Sequence, residues 1–255
     1  MDVVERQEAI VALAMVKGRV LVEELVAHFR VTPQTIRKDL NDICAGGRLK
    51  RIHGGAVYPS GLENMQYEAR RLIAAEEKEA IGRAAARLIP NNASLFINIG
   101  TTTEAVSHAL LDHRDLMIIT NNINVANRMR VYPHFEVAIA GGIVRPSDGG
   151  VVGEAAVDFI RQFKVDFAVI GASAIDEDGA LLDFDYREVK VAQAIIANAR
   201  HVVLVSDSTK FDRTAPVRIA HLSQVNSFIT DRCTRPAIRQ ICRDSGVALI
   251  ETIET

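Results

Sequence analysis

Apolar residues recur three and four apart over residues 5–16, at Ile10, Leu13 and Ala14, which predicts a helix with one buried face. Lys17-Gly18-Arg19 ends it. A second short helix is predicted over Val22–Phe29, with Val22, Leu25, Val26 and Phe29 inward, and Arg30-Val31 makes a turn. Thr32-Pro33 opens a third helix: Thr32 offers a capping oxygen, and Pro33 forfeits no hydrogen bond in a first turn. It runs to about Ala45 and stops at Gly46-Gly47. Residues 48–57 then read as two short strands joined by a glycine turn. Helix, helix, turn, helix, hairpin is the order of a winged helix-turn-helix.

Residues 58–75 hold Pro59, Ser60, Gly61 and mixed charge and read as a linker. It separates a first domain over 1–57 from a second over 76–255. Glu76–Leu88 is a helix with Ile81, Ala84, Ala85 and Leu88 inward. From Ser94 onward, β-branched runs alternate with glycine-containing loops and helices. Strands are predicted at Leu95–Ile99, Leu116–Thr120, Phe135–Ala140, Val165–Ile170, Val202–Val205, Ser227–Thr230 and Val247–Glu251. Helices fall after Gly100, from Val125, over Tyr186–Ala199 and from Pro236. Continuous apolar strands alternating with helices predict an α/β domain with a parallel sheet covered on both faces.

Composition narrows the class without choosing a function. Hydrophobic residues make up 48% and charged residues 24%, the balance of a folded globular chain. No apolar run approaches the roughly 18 residues of a membrane span. The first residues, Met1-Asp2-Val3-Val4-Glu5-Arg6, lack a basic leader, so a cytoplasmic protein with no membrane partner is expected. Cys44, Cys233 and Cys242 show no paired spacing, and the seven histidines form no metal motif; no metal and no cofactor are expected. Charge is unevenly placed. The chain is −2 overall, yet residues 1–58 carry nine Lys/Arg against seven Asp/Glu, and Arg30–Arg51 carries six against two. A compact basic patch on a near-neutral chain suits a small DNA-binding module.

On a helical wheel of Pro33–Ala45, Ile36, Leu40 and Ile43 fall within about 60° and form the core face. Gln34, Arg37, Lys38 and Asn41 occupy about 100° of the opposite side. Gln and Asn pair with adenine, Arg with guanine, and Lys with phosphate. A charged helix face is also a common solvated surface. The preceding helix, the turn and the basic hairpin favour double-stranded operator DNA as the partner. Thr32 and Thr35 stand at the start of the same helix, and Arg48, Lys50, Arg51 and His53 fit phosphate or minor-groove contacts from the wing. His53 could instead serve only a turn carbonyl.

In the second domain Gly100-Thr101-Thr102-Thr103 lies between a strand end and a helix start. It offers backbone donors, three hydroxyls and the helix dipole to an anion, although a threonine run also caps helices. Asn121-Asn122, Gly141-Gly142 and Gly171 follow other strands at the edge where such sheets bind ligands. Lys210, in Asp207-Ser208-Thr209-Lys210-Phe211, could neutralise a phosphate, with Ser208 or Thr209 donating to it; it could equally be a surface lysine. Asp176, Asp183 and Glu188 are read as completing a polar ring, or as helix caps and surface acids.

Two runs, Val31–Leu40 (VTPQTIRKDL) and Arg51–Ala56 (RIHGGA), resemble the signature of the DeoR family of bacterial repressors, and the likeness extends over nearly the whole chain. The resemblance implies a winged-helix reader joined to a sensor domain resembling ribose-5-phosphate isomerase and CoA transferase. It implies a homo-oligomer acting on repeated half-sites, released by a phosphorylated small-molecule inducer. The runs at 99–106, 120–127, 148–154 and 184–189 are similar to a subgroup whose implied inducer is glycerol 3-phosphate. With the strand-end positions above, Gly100, Thr101, Thr102, Thr103, Asn122, Gly141, Asp176, Glu188 and Lys210 are expected at the effector. The rival reading is a phosphosugar isomerase carrying a regulatory DNA-binding domain. Arg187-Glu188-Val189-Lys190 is similar in context to the isomerases' glutamate base. Their glycine-rich lysine loop is missing just upstream, where Leu181–Asp185 stands, so no catalytic residue is assigned. A third reading, a winged helix used for protein contact, is disfavoured by the local basic count.

Overall fold

A computed structural model describes residues 2–17, 19–52, 54–57 and 67–253. The chain divides into two compact units, Met1–Met65 and Gln66–Thr255.

The first unit runs α1 (Val3–Lys17), β1 (Arg19–Leu21), α2 (Val22–Phe29), α3 (Pro33–Ala45), β2 (Lys50–Ile52) and β3 (Gly55–Val57). Arg30 takes a left-handed conformation, φ 53°, which turns the chain sharply between α2 and α3. Thr32 caps α3 by accepting the Thr35 N–H at 3.2 Å, and Pro33 occupies the first turn. Ile10, Ala14, Leu25, Ile36, Leu40, Ile43 and Ala56 close one core. The wing holds a strand that periodicity did not reveal: β1 pairs with β3, giving the antiparallel order β1-β3-β2. A three-residue strand is too short to show alternation. The middle strand begins at Gly55 because a Cβ there would lie 2.1 Å from the Val20 carbonyl oxygen.

The second unit opens with α4 (Tyr67–Leu72), inside the stretch read as linker, followed by α5 (Ala75–Ala86). Then come β4 (Ser94–Ile97), α6 (Thr101–Ala109), β5 (Leu116–Thr120), α7 (Ile123–Met129) and β6 (Phe135–Ile139). A hairpin, β7 (Ile143–Val144) and β8 (Val151–Val152), precedes α8 (Glu154–Ile160) and β9 (Val165–Ile170). The rest is β10 (Ala174–Ile175), β11 (Ala180–Asp183), α9 (Tyr186–Ala197), β12 (Ala199–Val205), β13 (Val217–His221), β14 (Ser227–Thr230), α10 (Pro236–Asp244) and β15 (Ala248–Glu251). Seven strands form one parallel sheet in the order β15-β14-β12-β9-β4-β5-β6. Both faces are buried, as the unbroken apolar strands require. Leu95 and Ile97 of β4 pack with Ile81 of α5, Val106 of α6 and Val125 of α7. Phe96 points the other way, into a core with Ile160 of α8, Ile195 of α9 and Ile238 of α10. A small antiparallel sheet, β10-β11-β13, stands beside this frame. Every loop at the carboxyl ends of the parallel strands therefore opens on one edge.

Candidate functional site

In the first unit Ile36, Leu40 and Ile43 are buried while Gln34, Arg37, Lys38 and Asn41 are exposed. None of those four, nor exposed Lys50, forms a side-chain hydrogen bond or ion pair among the described residues, so their donors face outward uncommitted. Thr32 and Thr35 bind each other, Oγ1 to Oγ1 at 2.9 Å. Two wing arginines are engaged within the domain: Arg48 grips Glu8 through both terminal nitrogens at 2.7 Å, and Arg51 Nη1 donates to the Gly55 carbonyl at 2.6 Å. His53 lies outside the described residues. Asp39, one of the two acids in the Arg30–Arg51 charge count, is buried. It accepts from Arg6 Nε at 2.7 Å and Nη2 at 3.3 Å, and from Gln7 at 3.3 Å. The Asp39 hydrogen bond raises the Arg6 pKa further. The surface of α3 is thereby more positive than its sequence count.

In the second unit β4 delivers Asn98, Ile99 and Gly100 to the start of α6. Gly100, at φ 148°, is the cap residue and supplies no side-chain acceptor, so no side chain meets the first-turn N–H groups of α6. Thr101 is half-exposed and Thr102 nearly buried. Thr103 does not fit the ligand role given to its hydroxyl. It is fully buried and bonds the carbonyls of Asn98 at 2.7 Å and Gly100 at 2.8 Å. Asn122 is likewise structural: fully buried, it caps α7 and donates to Glu104 Oε1 at 3.0 Å. Gly141 is exposed beyond β6, the outermost strand, two places from β4. Asp176 sits in the turn of the β10–β11 hairpin, at the opposite end from Asp183, and is not brought to the other site residues.

The β4, β9 and β12 exits do converge. A Cβ on Gly171 would lie 3.8 Å from both Thr103 Cγ2 and the Val205 carbonyl. Beyond β12, buried Asp207 accepts the Thr209 N–H at 3.2 Å and its hydroxyl in a short contact. Ser208 is bound to Asp231 through N–H at 2.6 Å and hydroxyl at 2.7 Å. Neither hydroxyl is free to donate to a ligand. Lys210 differs. Burial pushes its pKa down to about 8; Asp207 opposes this, while Arg213, Lys78 and Arg70 add to it. Burial and Arg70 also lower Arg213, and burial lowers Lys78 against the pull of Asp207. Lys210 and Arg213 have no side-chain partner among the described residues. Lys210, Arg213 and Lys78 thus all act on Asp207, whose Oδ2 is buried without a hydrogen-bond partner, and Arg70 lies close enough to repel them. Such a concentration of partly buried positive charge suits a dianion.

A second cluster adjoins it through Arg70, which reaches Asp148 at 3.1 Å. Arg145 is the hub: it binds Asp148 at 2.9 and 2.7 Å, Asp185 at 3.3 Å and Glu188 at 2.5 Å. Burial pushes Glu188 up to about 8, helped by Asp183 and opposed by Arg145. Burial also works against Asp148, yet Arg145 and Arg70 hold its carboxyl below the usual range. Below about pH 8 Glu188 is largely protonated and can both donate to and accept from a hydroxyl, whereas Asp185, held low by Arg187, only accepts. Sequence reasoning missed Arg70, Lys78, Arg145, Asp148 and Arg213. A groove of about 870 Å³ between α5 and α6 is bordered by Lys78, Thr101 and Glu104 and carries further cations and anions along its length. Among the described residues no cluster of His, Cys, Asp and Glu could hold a metal ion, and no helix is long and apolar enough to cross a membrane.

Comparison with known proteins bears on both halves. A model of the DeoR-like helix-turn-helix domain matches residues 6–61, and one of the DeoR C terminal sensor domain matches 73–232. The chain is 48% identical to the glycerol-3-phosphate regulon repressor of Escherichia coli strain K12, over 96% of this chain and 97% of that one. It is 49% identical to the repressor of the same name from Haemophilus influenzae, over 88% of each. Among solved structures, ribose 5 phosphate isomerase A from Neisseria gonorrhoeae matches 52% of each chain at 12% identity and a TM-score of 0.39.

Proposed function

The chain belongs to the DeoR family of DNA-binding repressors with a C-terminal sensor domain, and from that premise we propose that glycerol 3-phosphate binds the sensor domain and releases the protein from its operator. The observation that carries the ligand is the uncommitted charge of Lys210 and Arg213 beside Asp207. With the free N–H groups of Gly100–Thr102, that charge meets a phosphate. Glu188 and Asp185, steadied by Arg145, accept the glycerol hydroxyls. The name shared by the two repressors supports a three-carbon ligand. The named relatives are repressors, and Arg145 engages Glu188, so this carboxylate serves recognition rather than isomerisation.

On the DNA side α3 enters the major groove, with Gln34, Arg37 and Asn41 toward base edges and Lys38 and Lys50 toward phosphates. Thr32, Thr35, Arg48, Arg51 and His53 flank that surface. Copies assemble in the cytoplasm into an oligomer that places α3 on repeated half-sites. Arg37→Ala is expected to weaken operator binding by about 1–3 kcal/mol at the base it reads, without unfolding the domain. Lys38→Ala should weaken all DNA alike and lower the salt slope by about one phosphate contact. Anisotropy titrations at several salt concentrations check both.

The ligand reading is tested by calorimetry of the free protein with glycerol 3-phosphate at pH 7 and pH 9. The phosphate, with a second pKa of about 6, is mostly a dianion at pH 7 and fully one at pH 9, so its own titration does not weaken binding as pH rises. Lys210, with its pKa near 8, is charged at pH 7 and mostly neutral at pH 9. Glu188 ionises over the same interval and adds repulsion. Affinity should therefore fall about tenfold as pH rises through 8. Equal affinity at both values would remove Lys210 from the phosphate site.

A further inference from the structure

Helix α4 has only six residues, and its Leu72 is largely exposed. Its position is set by side chains that reach the loops around the effector site. The Tyr67 hydroxyl donates to Glu104 Oε2 at 2.5 Å and accepts from Asn124 Nδ2 at 3.0 Å. Arg70 reaches Asp148 at 3.1 Å. Lys78 of α5 donates to the carbonyls of Arg70 and Ile73, at the end of α4 where the helix dipole is negative. Asp148 is also held by Arg145, and Arg145 by Glu188. Contacts thus run without a gap from Glu188 through Arg145, Asp148 and Arg70 to α4. The guanidinium of Arg70 is strained electrostatically: it repels Lys210 and Arg213, and its buried Nε has no hydrogen-bond partner. In the chain, α4 is also the first described element after the wing strand β3.

We infer that α4 is a latch, docked on Glu104, Asn124 and Asp148 when the site is empty and drawn off them when the site is filled. The inference rests on the ligand reading above and supplies its regulation. A dianion beside Lys210 and Arg213 attracts Arg70 away from Asp148. Hydroxyls taken up by Glu188 release Arg145 to bind Asp148 more fully, where it competes with Arg70 for the same Oδ2. Because Arg70 meets the anion best in the displaced position, the ligand favours that position by the difference in contacts. The docked state is the one that holds operator, and displacement of the segment joined to the DNA-binding domain ends it.

The test is hydrogen exchange on the full-length protein, with and without saturating glycerol 3-phosphate, beside operator binding by wild type and Tyr67→Phe. Ligand should speed exchange of the α4 amides at least about fivefold while β4 and β9 stay protected. Tyr67→Phe removes the donor to Glu104. It should speed α4 exchange without ligand, weaken operator binding about fivefold, and lower the inducer needed for half-release by a similar factor. A purely structural tyrosine would not shift the inducer requirement. Unchanged α4 exchange while ligand releases operator overturns the latch, as does a Tyr67→Phe variant with native operator affinity and response. If glycerol 3-phosphate gives no binding heat, the ligand reading fails. The ligand-free Tyr67→Phe measurements then still decide whether α4 docking governs operator affinity.

Discussion

Replacing Lys210 by alanine is expected not to weaken operator binding and to raise the glycerol 3-phosphate needed for half-release by roughly 10- to 100-fold, the value of one charge-assisted contact of about 1.5–3 kcal/mol. The lysine is confined by burial among Arg213, Lys78 and Arg70, with only Asp207 for balance. Its removal relieves the desolvation and the repulsion from three cations along with the attraction to Asp207, so the sensor domain should keep its stability. No residue of α3 or the wing is touched. Lys210→Arg keeps the charge and should retain part of the response. Anisotropy of labelled operator across inducer concentration reads both variants. A normal response from Lys210→Ala would place the phosphate elsewhere on the strand edge.

A loss of about 3–5 kcal/mol is expected for Asp39→Ala, because it leaves the Arg6 guanidinium buried and unpaired. Arg6 and Asp39 side chains are only 10% and 3% exposed, and their contact joins α1 to α3. A small domain has a total stability of only about 5–15 kcal/mol. The winged helix should therefore melt at least about 15 °C lower and lose operator binding at physiological temperature. Calorimetry should show the sensor-domain transition unmoved. Replacing both partners, Arg6→Met with Asp39→Leu, should restore most of the stability, since it removes the charge together with its partner. If Asp39→Ala melts with the wild type, this pair does not hold α3 in place.

What the sequence made legible follows the range of the forces involved. The faces of α3 were readable because a helix repeats every 3.6 residues, and the Ile36/Leu40/Ile43 side is buried as that period requires. The parallel sheet was readable because strands buried on both faces are continuously apolar. The pairing of Asp39 was not legible because its partner lies 33 residues away. The hub at Arg145 was invisible for the same reason: Arg70 and Asp148 are 78 residues apart, and Arg145 and Glu188 are 43 apart. Thr103 and Asn122 stand in ligand-facing loops, yet the carbonyls and carboxylate beside them take up their hydrogen bonds. Residue type and loop position suggested donors; only the fold shows which are already engaged. Strands of two or three residues, such as β1, β7 and β10, carry too few positions for any period to emerge. Helix α4 was hidden by its polar neighbours, and side chains elsewhere in the domain anchor it.

The central claim is that a phosphate on a small polyol switches this repressor off its operator. Its most direct test is one titration of the operator-bound protein at fixed salt and pH 7 with glycerol 3-phosphate, glycerol, inorganic phosphate, and a panel of phosphorylated four- to six-carbon metabolites. Release should come at the lowest concentration with glycerol 3-phosphate, at far higher concentration with inorganic phosphate, and not at all with glycerol. Release by glycerol as readily as by its phosphate, or by none of the phosphorylated compounds, would contradict the account.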